Sequence, residues 1–261
     1  MSVAFPAFGA PTPGLTYADR RDISMAGNIA REAPRISWQT FINNWFDWQL
    51  GEHIGLIGPT GQGKTTLLLR ILPLHHFVVV AATKPKDKTM DSLIKSSGYI
   101  KVERWQRLDP KEYPRRVLWP DATRLDSDEL QKRVFADAMN RIYREGKWTF
   151  AIDELWYFDQ VLGLRKPVEK YLLQARSLDI SLVGGTQRPA WVPRALYTNA
   201  THLFFWRTND ETDLKSISGI GFRSARLITE VVANLHQFEC LYINTRTGQM
   251  CRTKVPKGIG G

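Results

Sequence analysis

The sequence predicts an α/β fold built on a mostly parallel sheet, and three observations predict it. From about residue 36, short apolar runs alternate with segments of helical spacing, the rhythm of strand–helix–strand units. Runs such as Phe77-Val78-Val79-Val80-Ala81-Ala82 are rich in valine and apolar throughout, as strands covered on both faces are. The chain has 261 residues, 43% hydrophobic and 24% charged, which suits a globular core and excludes disorder, collagen or a disulfide scaffold as the main state.

The elements follow in order. Residues 1–35 hold Pro6, Pro11, Pro13 and Pro34 with Gly9, Gly14 and Gly27, a mixture that sustains neither a long helix nor a central strand. This is read as an arm or linker, ordered against a neighbouring subunit, with the domain proper over 36–261. A buried strand is expected at 53–58 and a helix at 63–71, then strands at 77–83 and 116–119. Ser127 is placed to cap a helix running to about Gly146, with Leu130, Val134, Phe135, Ala138, Met139 and Ile142 at helical spacing. An apolar strand at 148–152 ends in Asp153-Glu154. Pro167 suits the first turn of another helix, which carries Val168, Tyr171, Leu172 and Ala175 on one face. Strands at 180–185 and 202–206 precede a terminal hairpin over 238–243 and 249–255, turned at Arg246-Thr247-Gly248.

Charge narrows the partners. The formal net charge is +10. Residues 1–50 are neutral, whereas 84–116 carry ten bases against five acids and no acid follows Glu239. Arg246, Arg252, Lys254 and Lys257 lie in that last stretch. Such a balance attracts polyanions, nucleic acid above all, although a merely solvated face has the same composition. No apolar run reaches the roughly 18–20 residues of a membrane helix, and the first basic residue is Arg20, so a basic secretory leader is not expected. The expectation is a soluble cytoplasmic protein. Cys240 and Cys251 are too few for a zinc site and are expected as free thiols on paired strands.

Gly58-Pro59-Thr60-Gly61-Gln62-Gly63-Lys64-Thr65 matches the phosphate-binding pattern G-x-x-x-x-G-K-[ST] between an apolar strand and a helix. Glycines let backbone N–H groups approach phosphates at a helix N-terminus. The pattern predicts Lys64 on the β- and γ-phosphates of ATP, the Thr65 hydroxyl on Mg²⁺ and Thr66 near the α-phosphate. Asp153 and Glu154 end a strand whose interior does not tolerate unpaired carboxylates, so they point to a cleft. Asp153 is expected to hold Mg²⁺ through water, and Glu154 to orient and deprotonate the attacking water. Gln187, at the end of the 180–185 strand, fits an amide that senses the γ-phosphate, although such a residue is often only a turn.

With these motifs in place, the chain resembles the FtsK–HerA group of P-loop ATPases, including the genome-packaging ATPases of DNA viruses and phages. The resemblance spans about residues 50–220. It rests on 58–66, on 150–154 and above all on 174–189, where Arg176 precedes a strand ending in Thr186-Gln187-Arg188-Pro189. Tyr197-Thr198-Asn199-Ala200-Thr201-His202-Leu203-Phe204-Phe205, followed by Arg207 and Asp210, follows the same pattern. It implies a RecA-like domain that assembles into a ring, hexamer or pentamer, with ATP between subunits and double-stranded DNA through the centre. It also implies that Arg176 reaches the neighbouring subunit's γ-phosphoryl group, as an arginine finger does, or else merely complements its own helix C-terminus. Arg188 and Arg207 are lesser candidates. The lack of a winged-helix DNA-reading domain or membrane segment favours the packaging branch, docked on a capsid portal in the host cytoplasm. A conjugative or HerA-like DNA-processing ATPase, and an assembly or secretion ATPase acting on protein, are the alternatives.

Two features are read less sharply. Trp38, Trp45 and Trp48 suit adenine stacking, a subunit bridge or core packing, the commonest fate of such aromatics. The loop Lys84-Pro85-Lys86-Asp87-Lys88 follows a strand's carboxyl end and faces the ring channel, the nucleotide or simply solvent.

Overall fold

The structure is a computed structural model, and residues 29–105, 108–219 and 225–256 of it are described. Its centre is a nine-stranded sheet in the order β3-β4-β2-β5-β6-β1-β7-β8-β9. The strands are β1 (His53–Ile57), β2 (Val78–Ala81), β3 (Ile100–Val102), β4 (Arg115–Leu118), β5 (Thr149–Ile152), β6 (Ser181–Thr186), β7 (Ala200–Trp206), β8 (Glu239–Asn244) and β9 (Met250–Lys254). β1 to β7 run parallel, and β8 and β9 close the sheet as an antiparallel hairpin. The α/β class, the parallel sheet and the terminal hairpin agree with the sequence reading.

Side-chain alternation shows why these runs are strands. In β2, Val79 and Ala81 join one apolar cluster while Val78 and Val80 join the other; in β7, Leu203 and Phe205 face one way, Phe204 and Trp206 the other. Both faces are therefore apolar and each needs helices over it. On the first face lie α4 (Asp128–Glu145), α5 (Arg165–Gln174), α6 (Arg194–Asn199), α7 (Glu211–Ser218) and α8 (Ala225–Ala233). On the second lie α1 (Trp38–Asn44), α2 (Lys64–Ile71) and α3 (Lys88–Ser96).

Several expectations needed adjustment. β3 and the helices α1, α3, α6, α7 and α8 were not foreseen: β3 has three residues and only Val102 is buried, and α3 begins inside the basic run, where Asp87 caps it by accepting from the amides of Thr89 and Met90. Ser127 does not cap α4 with its side chain; it is buried, with Gln131 donating to its hydroxyl at 3.4 Å. Trp48 is core, stacked on His75 at 3.7 Å between ring centroids, and Trp38 and Trp45 pack at the edge of the second cluster. None of the three lines the phosphate-loop cleft.

Residues 1–28 of the Pro/Gly-rich arm, and Lys257, lie outside the described residues. The rest of the arm packs on the domain. Ala33 is fully buried, and Arg252 N donates to Pro34 O while Ile36 N donates to Arg252 O, extending the sheet at β9. Cys240 and Cys251 sit on paired strands as free thiols. Burial raises both; Cys251 reaches about 12.

Candidate functional site

The carboxyl ends of β1, β2, β5 and β6 meet at one cleft of about 250 Å³, where ligands collect in open parallel sheets. The turn from β1 into α2 forms its floor. Gly63 has φ +105°, a conformation that a side chain would strain, and it starts α2 with its free N–H groups turned to the cleft.

Lys64 is buried, and its ammonium donates to the carbonyls of Gly58 (2.6 Å) and Pro59 (2.9 Å). Burial lowers its pKa; Asp153 and Glu154 oppose that and Lys84 adds to it. The Thr65 hydroxyl donates to Asp153 Oδ1 at 3.3 Å. Gln187 Nε2 donates to Glu154 Oε2 at 2.6 Å, while Glu154 Oε1 is buried with no hydrogen-bond partner among the described residues. Burial raises both carboxyls above their ordinary range. Lys84 and Lys64 oppose this at Asp153; at Glu154 the opposition comes first from the Gln187 hydrogen bond, with Asp153 adding to the rise. The tight approach of β6 to β5 fixes the acids: a Cβ on Gly185 would collide with the Asp153 carbonyl, so no larger residue fits there.

The structure thus brings together Lys64, Thr65, Asp153, Glu154 and Gln187 from three places in the chain. Thr60, Gly61, Gly63 and Thr66 line the same cleft. Gln62 Oε1 is buried and unpartnered among the described residues. Arg176 is elsewhere. Its backbone carbonyl and side chain approach Gly51, just before β1, so within this chain it lies at the amino end of the sheet, away from the cleft. Arg188 is also committed, to Asp210 (2.8 Å) and Asp213 (3.4 Å), and Arg207 is exposed beyond β7.

Two lining residues were not singled out as site residues from sequence. Lys84, from the basic loop, faces this cleft with its carbonyl accepting from Trp119 Nε1 at 2.8 Å. Phe238, read only as the start of a strand, lines the opposite flank.

Solved structures share this architecture. The genome packaging NTPase of Sulfolobus turreted icosahedral virus 2, in complex with sulfate, aligns with a TM-score of 0.61 at 16% identity, over 80% of this chain and 98% of that one. The DNA-packaging ATPase of Sulfolobus Turreted Icosahedral Virus gives 0.59 at 20% identity, over 80% and 100%. This is a RecA-like P-loop NTPase fold. VirB4 of Thermoanaerobacter pseudethanolicus has the same fold, at a TM-score of 0.61 and 11% identity over 79% of this chain and 90% of its own. No protein-family model matches the sequence, and neither does any curated protein. The resemblance to the FtsK–HerA group therefore stands in the fold. Among the described residues, no helix is long and apolar enough to cross a membrane.

Proposed function

We propose that this protein is an ATPase that moves double-stranded DNA, a genome-packaging motor of the FtsK–HerA type. The observation that carries the reading is Glu154: a half-buried carboxylate held by Gln187 at 2.6 Å, its other oxygen buried and unpartnered among the described residues, in the cleft that also holds Lys64 and the Thr65–Asp153 pair. A carboxylate partly withdrawn from water and raised in pKa is a better base for a water attacking the γ-phosphate. Lys64 neutralises the β- and γ-phosphates, Thr66 sits by the α-phosphate, and Gln187 reports whether the γ-phosphate is present.

The donor set fits Mg²⁺. Thr65 and Asp153 offer hard oxygens 3.3 Å apart, and no cluster of three or more metal-ligating side chains occurs among the described residues. That suits an ion held mainly by phosphates and water. When bound, Mg²⁺ supplies charge neutralisation on the phosphates; Thr65 and Asp153 would hold it.

Arg176 acts in trans. Its distance from its own cleft suits a ring, hexamer or pentamer, in which it reaches the adjacent subunit's nucleotide. The net charge of +10 supports phosphate-backbone contacts, which need no sequence reading and so suit translocation. The part of the 1–35 arm that precedes the stretch packed on the domain is assigned to subunit contact, the portal of a capsid to docking, and the host cytoplasm to location. The test is phosphate release with and without duplex DNA at low salt, alongside a strand-separation assay. Duplex-stimulated release without unwinding is expected. Unwinding would move the assignment to a HerA-like helicase, and release indifferent to all DNA would move it to an ATPase acting on protein.

A further inference from the structure

The cleft has a direction. β6 and β5 lie on one side of β1, and β7 and β8 on the other. Asp153, Glu154 and Gln187 end the strands of the first side. A nucleotide with its γ-phosphate toward Glu154 therefore runs its sugar and base toward the β7–β8 flank. Phe238 stands there, immediately before β8. It supplies the sole aromatic ring among the described residues lining the cleft, and that ring comes within 3.8 Å of where a Cβ on Gly63 would sit.

The backbone at Phe238 is unusual. Its φ is +64°, a left-handed conformation that is strained for a non-glycine residue. Such a conformation persists where neighbours over-determine it, and here they do. The Glu239 carboxylate, itself buried, accepts from His236 N at 2.9 Å and from Arg35 Nε at 2.7 Å, while Glu239 N donates to His236 O at 3.0 Å. This bolted turn presents the half-buried ring to the phosphate loop.

We propose that Phe238 stacks on the base of the bound nucleotide, which makes the cleft selective for nucleoside triphosphates, purines first, over bare polyphosphate. The inference deepens the ATPase reading and rests on it. A single ring with a π face and no base-edge readout discriminates by stacked area, which is larger for a purine.

The experiment is equilibrium binding of ATP and of inorganic tripolyphosphate to the full chain and to Phe238→Ala, Phe238→Leu and Phe238→Tyr, with thermal unfolding to verify folding. ATP binding should weaken about tenfold or more in the alanine variant, also weaken in the folded leucine variant, and persist in the tyrosine one. Tripolyphosphate binding should be the same in all four. Wild-type ATP affinity in Phe238→Ala, or equal losses for ATP and tripolyphosphate, would overturn the stacking role. A wild-type chain that binds neither ligand would overturn the ATPase reading itself.

Discussion

Glu52, buried at the amino end of β1, and Glu154, half-buried beyond the carboxyl end of β5, are treated by the fold in opposite ways. Glu52 accepts from Gln49 N (3.1 Å) and pairs with His202 Nε2 (3.0 Å) and Arg246 Nη1 (2.8 Å). His202 Nδ1 in turn meets the Tyr242 hydroxyl at 2.9 Å. Burial works to raise Glu52, but the Gln49 amide, His202 and Arg246 outweigh it, and its carboxyl ends below the ordinary range. Burial likewise leads at Glu154, and there the Gln187 amide and the two lysines fail to cancel it. The cluster around Glu52 is satisfied and holds the fold together. The one around Glu154 is left electrostatically incomplete, the condition of a site that waits for a ligand.

Breaking the satisfied end should have the largest effect on stability. Glu52→Ala strips a hydrogen-bond partner from buried His202 and the counter-charge from half-exposed Arg246, and leaving a buried polar group unpaired costs about 1–3 kcal/mol. Denaturant unfolding should show that loss, with phosphate release per folded molecule unchanged. The folded Glu52 carboxyl lies below its unfolded value. Its contribution is therefore complete above the unfolded pKa and fades as pH falls through the folded one, so the deficit of Glu52→Ala should shrink in acid.

The same contrast explains what was legible from sequence. The phosphate loop was legible because it is local: eight consecutive residues between an apolar run and a helix fix its chemistry. Asp153, Glu154 and Gln187 were legible only beside that loop, because polar residues that close apolar strands are by themselves often no more than strand ends or turns. What failed depended on distant partners. Arg188 looks like a free arginine until α7 and its capping residue bring Asp213 and Asp210 beside it. Phe238 looks like a strand residue until Arg35, 204 positions away, locks Glu239. β3 was missed because three residues with one buried side chain carry almost no period.

At the unsatisfied end, Gln187→Ala sharpens the comparison. Loss of a positioning amide should reduce turnover on the order of tenfold. The Gln187 hydrogen bond lowers the Glu154 pKa, so removing it should move the acid limb of the pH–rate profile to higher pH, a shift that damage to packing alone does not produce. The smallest effect is thermal. Because the folded Glu154 carboxyl sits above its unfolded value, its charge is a net cost at neutral pH that disappears as pH falls through the raised pKa. Glu154→Gln should raise the unfolding midpoint of the nucleotide-free protein by about 2 °C at neutral pH, less in acid. A midpoint that drops instead would mean that Glu154 is as well satisfied as Glu52.

The most direct test is phosphate release from ATP by wild type and Glu154→Gln, with ATP binding measured on the same preparations in the presence of Mg²⁺ and duplex DNA. Loss of the base should leave ATP bound and slow release by about 100-fold or more. Release by the variant at the wild-type rate would remove Glu154 from the chemistry and with it the meaning given to the unsatisfied end of the sheet.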